Sequence, residues 1–385
     1  MKTKTLARTV LCTLALLVTG CTGRPGNQVS KVYRIGIVTP LTGEVQDLGK
    51  EMLAAAQLAV GEANAANPGM HFELIPRDDQ GSAASAALVA RSIVQDPSAI
   101  ALIAAGTSAV AKGLIEAVKG SGIAVLTSTA TASDLTGSGA PLFRVIPPNS
   151  AQAASLAMYA HKLGVRTAAI IFEQDDYSVD LKEAFKRSFT QQGGAIIGEA
   201  PFEPDETAFR SQLNQLANVK PGVILAAAQH VPVARILIRA REMGISQPIL
   251  AGETAFTDKL LAALGKADPG QFFLTGSGMD LEHPSARVSS FLQAFEAKSG
   301  KRPGMYGCYT YDAVSLVTHL AAKSVGIDRQ HLITALQELK GYDGVTGLIA
   351  FEAGGNVARE YTIYAVRDGG FQPLSAGAQG KSDKQ

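Results

Sequence analysis

The residue types that usually carry out catalysis are present in this chain, but their spacing does not form an enzyme site. The six histidines make no HExxH or similar metal-binding pattern; they stand at positions 71, 161, 230, 283, 319 and 331. No GxGxxG follows a strand, and neither a phosphate-binding GxxxxGKS/T nor a GxSxG elbow occurs. We interpret Asp78-Asp79 and Asp175-Asp176 as solvated loop acids and His230 as a residue at a pocket rim or helix start. The pattern predicts a protein that is not an enzyme and uses neither a metal nor a cofactor.

Two hydroxyl residues, Thr107 and Ser108, are placed where they could bind an anion. The apolar run AIALIAA ends before Gly106, and the next helix begins with these two residues. Ligands of open α/β sheets bind beyond the carboxyl ends of the strands. A helix start offers free N–H groups and the positive end of the helix dipole, and the hydroxyls add further donors. We therefore expect a ligand carboxylate here, with simple helix capping by Thr107 as the alternative.

A repeating order of strands and helices positions these groups. YRIGIV, FELIP, AIALIAA and IAVL predict strands that alternate with helices over 32–147, and TAAIIF, AIIGEA and GVILAAA resume the pattern over 150–277. Strands that are apolar at successive positions are buried on both faces, as in a parallel sheet covered by helices. The predicted fold class is α/β, with two doubly wound, Rossmann-like lobes.

The segment from 279 to about 375 is too small for a third lobe of this kind. It predicts helices over 285–299, 308–325 and 328–339, followed by the strands GLIAFE and EYTIYAV. Because two strands alone are marginally stable, we expect the helices to return to the first lobe and both strands to join the second.

This arrangement divides the chain into discontinuous lobes joined by a hinge. The expected ranges are 32–147 plus 279–343 for lobe 1, 150–277 plus 347–372 for lobe 2, and 373–385 for a disordered tail. The chain would cross between the lobes three times, near 147–149, 275–279 and 343–347. Three crossings predict a hinge rather than a loose linker.

The first 20 residues have the pattern of a signal peptide. Lys2, Lys4 and Arg8 precede the apolar run VLCTLALLV, which is too short to span a membrane comfortably. The following LLVTGC resembles the bacterial lipobox, in which the cysteine after the cleavage site carries a lipid, although its leucine stands at Leu17 rather than one residue later. We expect residues 1–20 to be removed, Cys21 to be lipidated and 21–31 to form a tether. An ordinary signal peptide with an accidental cysteine is the alternative.

The composition of the remaining 365 residues fits two domains of ordinary size. Loss of the three basic residues of the signal leaves 32 Lys and Arg against 34 Asp and Glu, a formal charge of −2. This balance favours neither nucleic acid nor an anionic membrane surface as a partner, so membrane contact is expected through the lipid alone. Cys308 is then the only other cysteine, which predicts no internal disulfide. We expect a monomer in the cell envelope, outside the cytoplasm.

Nine segments, in order, resemble the type I periplasmic solute-binding proteins of the branched-chain amino acid (leucine/isoleucine/valine) group. They are YRIGIVTPLTGEVQDLGKEMLAAAQLAVGEAN, PRDDQGSAASAALVARSIV, IAAGTSAVAKG, LTSTATASDLTG, FRVIPPNSAQA, AAIIFEQDDYSVDLKEAF, VILAAAQHVPVARILIRAREMG, PILAGETAF and YDGVTGLIAFEAGGN. The resemblance covers essentially all of 32–370. It implies two lobes that close over a small amphipathic ligand and deliver it to the permease subunits of an ABC importer. A ligand-sensing receptor or regulator of the same fold, not coupled to transport, is the alternative.

The resemblance also implies roles for four further residues. Thr129 would contribute its backbone and Thr131 its hydroxyl to the charged end of the ligand, unless TSTATA is an ordinary Ser/Thr-rich loop. Glu253, just after the strand PIL, matches the acidic residue that binds the ammonium group, with a solvated loop carboxylate as the alternative. Tyr177 matches an aromatic residue that covers the ligand, with simple packing of the loop as the alternative.

Two positions depart from the family pattern and leave the identity of the ligand open. Leu48 stands where the leucine-type binders often carry an aromatic residue, and it keeps an apolar wall. Gln229, followed by His230, stands where they carry a tyrosine, and it brings two donors and one acceptor into the side-chain pocket. An amino acid with a polar side chain, or a related amide, is therefore as good a candidate as leucine.

Overall fold

The computed structural model describes residues 31–265, 269–277, 279, 284–324 and 326–374. The predicted signal peptide, the lipidation site Cys21, the tether as far as residue 30 and the tail from residue 375 onward lie outside the described residues.

The first sheet is parallel and has five strands. They are β1 (Val32–Thr39), β2 (His71–Asp78), β3 (Ala99–Ala104), β4 (Ala124–Thr127) and β5 (Leu142–Arg144). Their spatial order is β2-β1-β3-β4-β5, so the strand order reverses between β1 and β3, where open α/β sheets bind ligands. Every residue of β3 and β4 is buried, as expected for strands covered by helices on both faces.

Three helices alternate with these strands: α1 (Gln46–Ala66), α2 (Ala83–Val94) and α3 (Ser108–Val118). Met52 and Ala55 of α1 pack with Ile35 on one face of the sheet. Ala90 of α2 and Leu114 of α3 pack on the other face. The two-sided cover confirms the doubly wound prediction for this part of the chain.

The second sheet contains five parallel strands and two antiparallel ones. The parallel strands are β6 (Thr167–Glu173), β7 (Ala195–Phe202), β8 (Val223–Ala227), β9 (Ile249–Ala251) and β10 (Phe272–Gly276). The helices between and before them are α4 (Asn149–Lys162), α5 (Asp176–Gln191), α6 (Arg210–Asn218), α7 (His230–Glu242) and α8 (Asp258–Leu264). Helices α4 and α5 cover one face, and α6, α7 and α8 cover the other.

The three helices after the second sheet return to the first one. They are α9 (Ala286–Ser299), α10 (Met305–Ala322) and α11 (Arg329–Gln337). Phe291 of α9, Val314 of α10 and Leu332 of α11 belong to the same core as Ile35. We use "first lobe" for the first sheet with all helices that pack on it, and "second lobe" for the second sheet with its helices.

The prediction that GLIAFE joins the second sheet is wrong. Residues of β12 (Gly347–Ile349) pair with β11 (Tyr342–Gly344) in a separate hairpin, and Ile349 lies in the core of the first lobe. The carboxylate of Asp312, buried on α10, accepts hydrogen bonds from the N–H groups of Val345 and Thr346 at 2.7 and 2.8 Å. These bonds hold the hairpin turn on the first lobe and prevent it from reaching the second sheet.

The last two strands of the described residues form the edge of the second sheet, as predicted for EYTIYAV. Strand β13 (Thr362–Arg367) pairs antiparallel with β10, and β14 (Gly370–Pro373), which was not predicted, pairs with β13. The third crossing therefore lies near Tyr361 rather than at 343–347, because residues up to Tyr361 pack in the first-lobe core. The N–H of Leu374 still bonds to Ile363 at 2.9 Å, so the predicted start of a disordered tail at 373 is also wrong.

Arg144, at the end of β5, is a fully buried cation that joins three parts of the first lobe; its exposed fraction is 0%. Its guanidinium donates to the carbonyls of Ala130 and Ala132 at 2.8 and 3.1 Å, and to the side-chain oxygen of Asn356 at 3.0 Å. Burial lowers the pKa of Arg144 to about 10, so the group remains charged at neutral pH. Arg144 thus holds the loop 129–132 in place from behind.

Replacing this side chain should destabilise the protein. In Arg144→Met the carbonyls of Ala130 and Ala132 lose their donors, and a buried unpaired polar group costs about 1–3 kcal/mol. We expect the free energy of unfolding to fall by about 3 kcal/mol, a decrease of roughly 6–12 °C in Tm by calorimetry. Arg187→Met, at an exposed arginine, is the matched control. Equal Tm values for the two variants would contradict the structural role of Arg144.

Candidate functional site

A cavity of about 240 Å³ lies between the two lobes, at the carboxyl ends of their strands. Its first-lobe wall follows β1, β3 and β4 and contains Pro40, Val45, Leu48, Met52, Ala105, Gly106, Thr107, Ser108, Ala109 and Thr129. Its second-lobe wall follows β6, β8 and β9 and contains Asp175, Asp176, Tyr177, Gln229, His230, Glu253, Thr254 and Thr257, while Tyr306 of α10 completes the lining. Seven of the eight predicted ligand residues line this cavity. The eighth, Thr131, does not line it but forms a hydrogen bond to Glu253, which does.

The start of α3 has the predicted arrangement of donors. The hydroxyl of Thr107 caps the helix by accepting the N–H of Val110 at 3.4 Å. Ser108 Oγ accepts the N–H of Ala132 at 3.2 Å. Because each hydroxyl accepts through its oxygen, its own hydrogen is still available for a ligand. Capping and ligand binding by Thr107 are therefore compatible.

The loop after β4 lies against this helix start. Thr129 donates its hydroxyl to the carbonyl of Gly106 at 2.6 Å. The hydrogen of that hydroxyl is therefore used, and the backbone N–H of Thr129 makes a long hydrogen bond to Thr127 Oγ1 at 3.5 Å. Thr131 is fully buried and its hydroxyl donates to Glu253 Oε1 across the cleft at 3.4 Å.

Glu253 is a buried carboxylate in the second lobe, with an exposed fraction of 0%. The hydroxyl of Tyr177 donates to Glu253 Oε2 at 2.9 Å, and Gln152 Oε1 accepts the backbone N–H of Glu253 at 2.6 Å. Burial raises the pKa of Glu253 to about 7 even though these groups favour the charged form. The alternative of a solvated loop carboxylate does not agree with this burial. Each carboxylate oxygen has a second lone pair, so Glu253 could also accept from an ammonium group.

Gly252 is required for this contact. A Cβ atom at this position would lie 2.0 Å from the Tyr177 hydroxyl and 2.7 Å from Gln152 Oε1. The absence of a side chain allows Tyr177 to reach Glu253. Tyr177 is thus buried and hydrogen-bonded in addition to lining the cavity.

The side chain of Gln229 is held by Asp175, which the sequence predicts to be a solvated loop acid. Gln229 Nε2 donates to Asp175 Oδ2 at 3.0 Å. Asp175 Oδ1 accepts the N–H of Ser178 at 2.6 Å and so caps α5. His230 begins α7 and lines the cavity, in agreement with its interpretation as a helix-start residue, and burial lowers its pKa.

Several residues in or next to the cavity were not found by sequence reasoning. Asp175 and Asp176 line the cavity, and their place directly after the buried strand TAAIIF was the signal that could have found them. Tyr306 and Gln152 come from helices whose sequence carries no comparable signal. Asp176 is exposed, in agreement with its interpretation as a solvated acid, whereas Asp79 is buried and accepts the N–H of Gly81 at 2.8 Å.

The lobes contact each other directly on either side of the cavity. The N–H and hydroxyl of Ser133 donate to Asp180 of α5 at 2.8 and 3.0 Å. At the rim, Lys259 of α8 lies 3.9 Å from Asp47 of α1. The structure therefore has the lobes together rather than apart.

Two kinds of site are not found in the part of the chain that the structure describes. No group of three or more histidine, cysteine or acidic residues there could hold a metal ion. Within the same residues, no helix has both the length and the apolar character needed to cross a membrane. Cys308 is a free, buried thiol.

Comparison with known proteins gives consistent matches over nearly the whole described chain. Residues 32–371 match the family model described as periplasmic binding protein. A Leu/Ile/Val-binding protein homolog of Brucella melitensis is 24% identical over 341 residues, which cover 87% of this chain and 91% of the relative.

Solved structures show the same fold. The branched-chain amino acid transporter substrate-binding protein of Streptococcus pneumoniae, in complex with isoleucine, has a TM-score of 0.78 at 24% identity and covers 89% of this chain and 98% of its own. A solute-binding protein of an ABC transporter from R. palustris, in complex with benzoate, has a TM-score of 0.78 at 21% identity, covering 89% and 95%.

The raised pKa of Glu253 predicts how stability without ligand should depend on pH. The carboxyl holds its proton more tightly in the folded state, with a pKa of about 7 against 4.5 for an ordinary glutamate. The contribution of this carboxyl to the free energy of unfolding is fully present below about pH 4.5 and is lost as the pH rises through about 7. Glu253→Gln, which stays neutral, should therefore gain up to about 3 kcal/mol relative to the parent between pH 5 and pH 8.

Thermal unfolding at several pH values measures this gain. Glu44→Gln, at an exposed glutamate, is the matched control and should follow the parent protein. A constant Tm difference between Glu253→Gln and the parent from pH 5 to pH 8 would show that the Glu253 carboxyl titrates normally.

Proposed function

The chain belongs to the periplasmic binding protein family, and we propose that it captures an amino acid or related small amphipathic ligand between its two lobes and delivers it to an ABC importer. Members of this family are solute-binding proteins that work outside the cytoplasm and are not enzymes. The observation that carries the proposal is that hydrogen-bond donors on one lobe and a carboxylate on the other, here called the two poles, line the same cavity. Thr107 and Ser108 at the start of α3 offer donors on the first lobe, and Glu253 offers a carboxylate on the second.

The two poles suit the two charges of an amino acid. A ligand carboxylate at the start of α3 would receive hydrogen bonds from the hydroxyls and free N–H groups of the helix. The ammonium group would bond to the Glu253 carboxylate, and a charge-assisted bond of this kind contributes about 1.5–3 kcal/mol. Because the poles belong to different lobes, one ligand molecule would hold the lobes together.

Binding of amino acids and of their head-group analogues tests this proposal. We expect an amino acid found in a thermal-shift screen to lose at least about tenfold in affinity, or about 1.4 kcal/mol, when its carboxylate is made a methyl ester. Removal of its amino group should cause a similar loss. Calorimetry on the free acid, the ester and the desamino compound measures both. If the desamino acid binds as tightly as the amino acid, the ligand is a simple carboxylate, like the benzoate in the related structure.

Variants of Glu253 provide the control from the side of the protein. Removing one partner of a buried charge pair costs about 2–5 kcal/mol, or roughly 30- to several-thousand-fold in Kd. Glu253→Ala should lie at the severe end, and Glu253→Gln, which keeps an acceptor, at the mild end. Unchanged affinity in a folded Glu253→Ala protein would place the ammonium group elsewhere.

The proposal includes a lipid anchor at Cys21, supported by the lipobox-like LLVTGC. The tether that follows would leave the lobes free to move beside the membrane. We expect mass spectrometry of the protein from its native envelope to show acylation at Cys21, and Cys21→Ala to be released in soluble form outside the cytoplasm. A native mature protein that begins at another residue or carries no lipid would contradict the anchor.

A further inference from the structure

The wall that faces the ligand side chain carries negative charge and no positive charge. Asp175 and Asp176 lie on this wall, and no lysine or arginine is among the described residues that line the cavity. Two basic groups lie outside this lining: Lys112 is 2.8 Å from Asp134 and its charge also acts on Asp176, and Lys259 is 3.9 Å from Asp47 and its charge acts on His230. If Glu253 binds the ammonium group of the ligand, Asp175 and Asp176 are available to bind its side chain.

The hydrogen bonds on this wall leave acceptors toward the ligand. Gln229 gives its amide nitrogen to Asp175 at 3.0 Å. The opposite orientation of the amide would place its oxygen against a carboxylate, so this orientation is the favourable one. Gln229 Oε1 receives no hydrogen bond from any residue that the structure describes. An amide oxygen and two carboxylates can accept hydrogen bonds but cannot donate them.

Two other features of the wall do not reverse this polarity. His230 is uncharged at neutral pH, because burial lowers its pKa, and it can offer a single neutral donor. The start of α7 has a positive dipole end, but the Glu173 carboxylate already accepts the N–H of Gln229 there at 3.0 Å. An acidic ligand side chain would thus face the carboxylates of Asp175 and Asp176, and the charge of Lys112 near Asp176 would offset only part of the repulsion.

The opposite wall is apolar. Val45, Leu48 and Met52 of the first lobe face the cavity together with Pro40. Such a wall favours the methylene groups of a side chain, while the acidic wall favours a donor at its end.

We propose that the cavity selects amino acids whose side chain ends in a hydrogen-bond donor without negative charge, either an amide or a cationic group. This inference rests on the proposed function, because it takes the head-group contacts for granted. The apolar wall would hold the methylene groups, and Asp175, Asp176 and Gln229 Oε1 would accept from the terminal donor.

Calorimetry on ligands matched in shape tests the inference. Asparagine is compared with leucine and aspartate, glutamine with methionine and glutamate, and lysine with norleucine. We expect the tightest ligand to be a donor-bearing member, at least about tenfold tighter than its apolar and acidic counterparts.

The variant Asp175→Asn removes one charge and keeps the cap of α5, because asparagine caps helices as well as aspartate does. Its amide nitrogen would then face Gln229, whose amide would turn over to accept from it, so the Gln229 Oε1 acceptor is lost to the ligand as well. The variant should reduce the ratio of the affinities for glutamine and glutamate at least about fivefold. The loss of affinity on esterification of the α-carboxylate should stay unchanged. Asp205→Asn, at an exposed aspartate outside the cavity, is the matched control and should change neither quantity.

Three results would overturn the inference. Tightest binding of leucine, methionine or norleucine would show that the apolar wall alone sets the preference, and tightest binding of an acidic amino acid would show that the start of α7 dominates. Both results leave the proposed function intact. If no amino acid binds, the inference fails together with the part of the proposed function that takes the ligand to be an amino acid.

Discussion

The structure of the cleft depends on the burial of one carboxylate. An ionised acid without water is costly unless donors surround it, and the groups around Glu253 are arranged to supply them. Tyr177 and Thr131 give their hydroxyls to the two carboxylate oxygens, one from each lobe, and Gly252 leaves the space in which Tyr177 can approach. Burial still outweighs these donors, since the pKa remains raised to about 7. Under the proposed function, the ammonium group of the ligand would be the additional donor that this carboxylate lacks.

The first lobe also contains buried charged groups, one positive and one negative. Arg144 and Asp312 are fully buried and do not bond to each other. Asp312 accepts mainly from backbone N–H groups, and Arg144 donates to two backbone carbonyls and two side-chain oxygens. Arg144 fixes the loop that carries Thr129 and Thr131, and Asp312 fixes the turn of the β11–β12 hairpin. Buried charges that satisfy backbone groups rigidify the segments they hold. The ligand-facing loop is thereby set before any ligand arrives.

The alternation of apolar strands and amphipathic helices was enough to predict both sheets and the return of α9, α10 and α11 to the first lobe. The ends of the strands were enough to place Thr107 and Ser108 at a ligand site, and the family resemblance added Glu253. The hairpin was mispredicted because the position of a three-residue strand depends on Asp312, a contact between residues 33 positions apart that no local pattern records. Asp175 was missed for a similar reason: its partner Gln229 lies 54 positions away, and an acidic pair before a helix also fits a simple cap.

The crossing segments have a mechanical consequence. Pro147 and Pro148 occupy the first crossing, and their rings hold φ near −65°. The hydroxyl of Tyr361, at the third crossing, donates to the carbonyl of Pro147 at 2.9 Å. Two of the three crossing segments are thus stiffened, and the hydrogen bond between them restricts independent backbone rotation in either one. Coupling of this kind favours a joint rotation of these segments over independent movement of each. The opposing groups would then return to the same registration each time the cleft shuts.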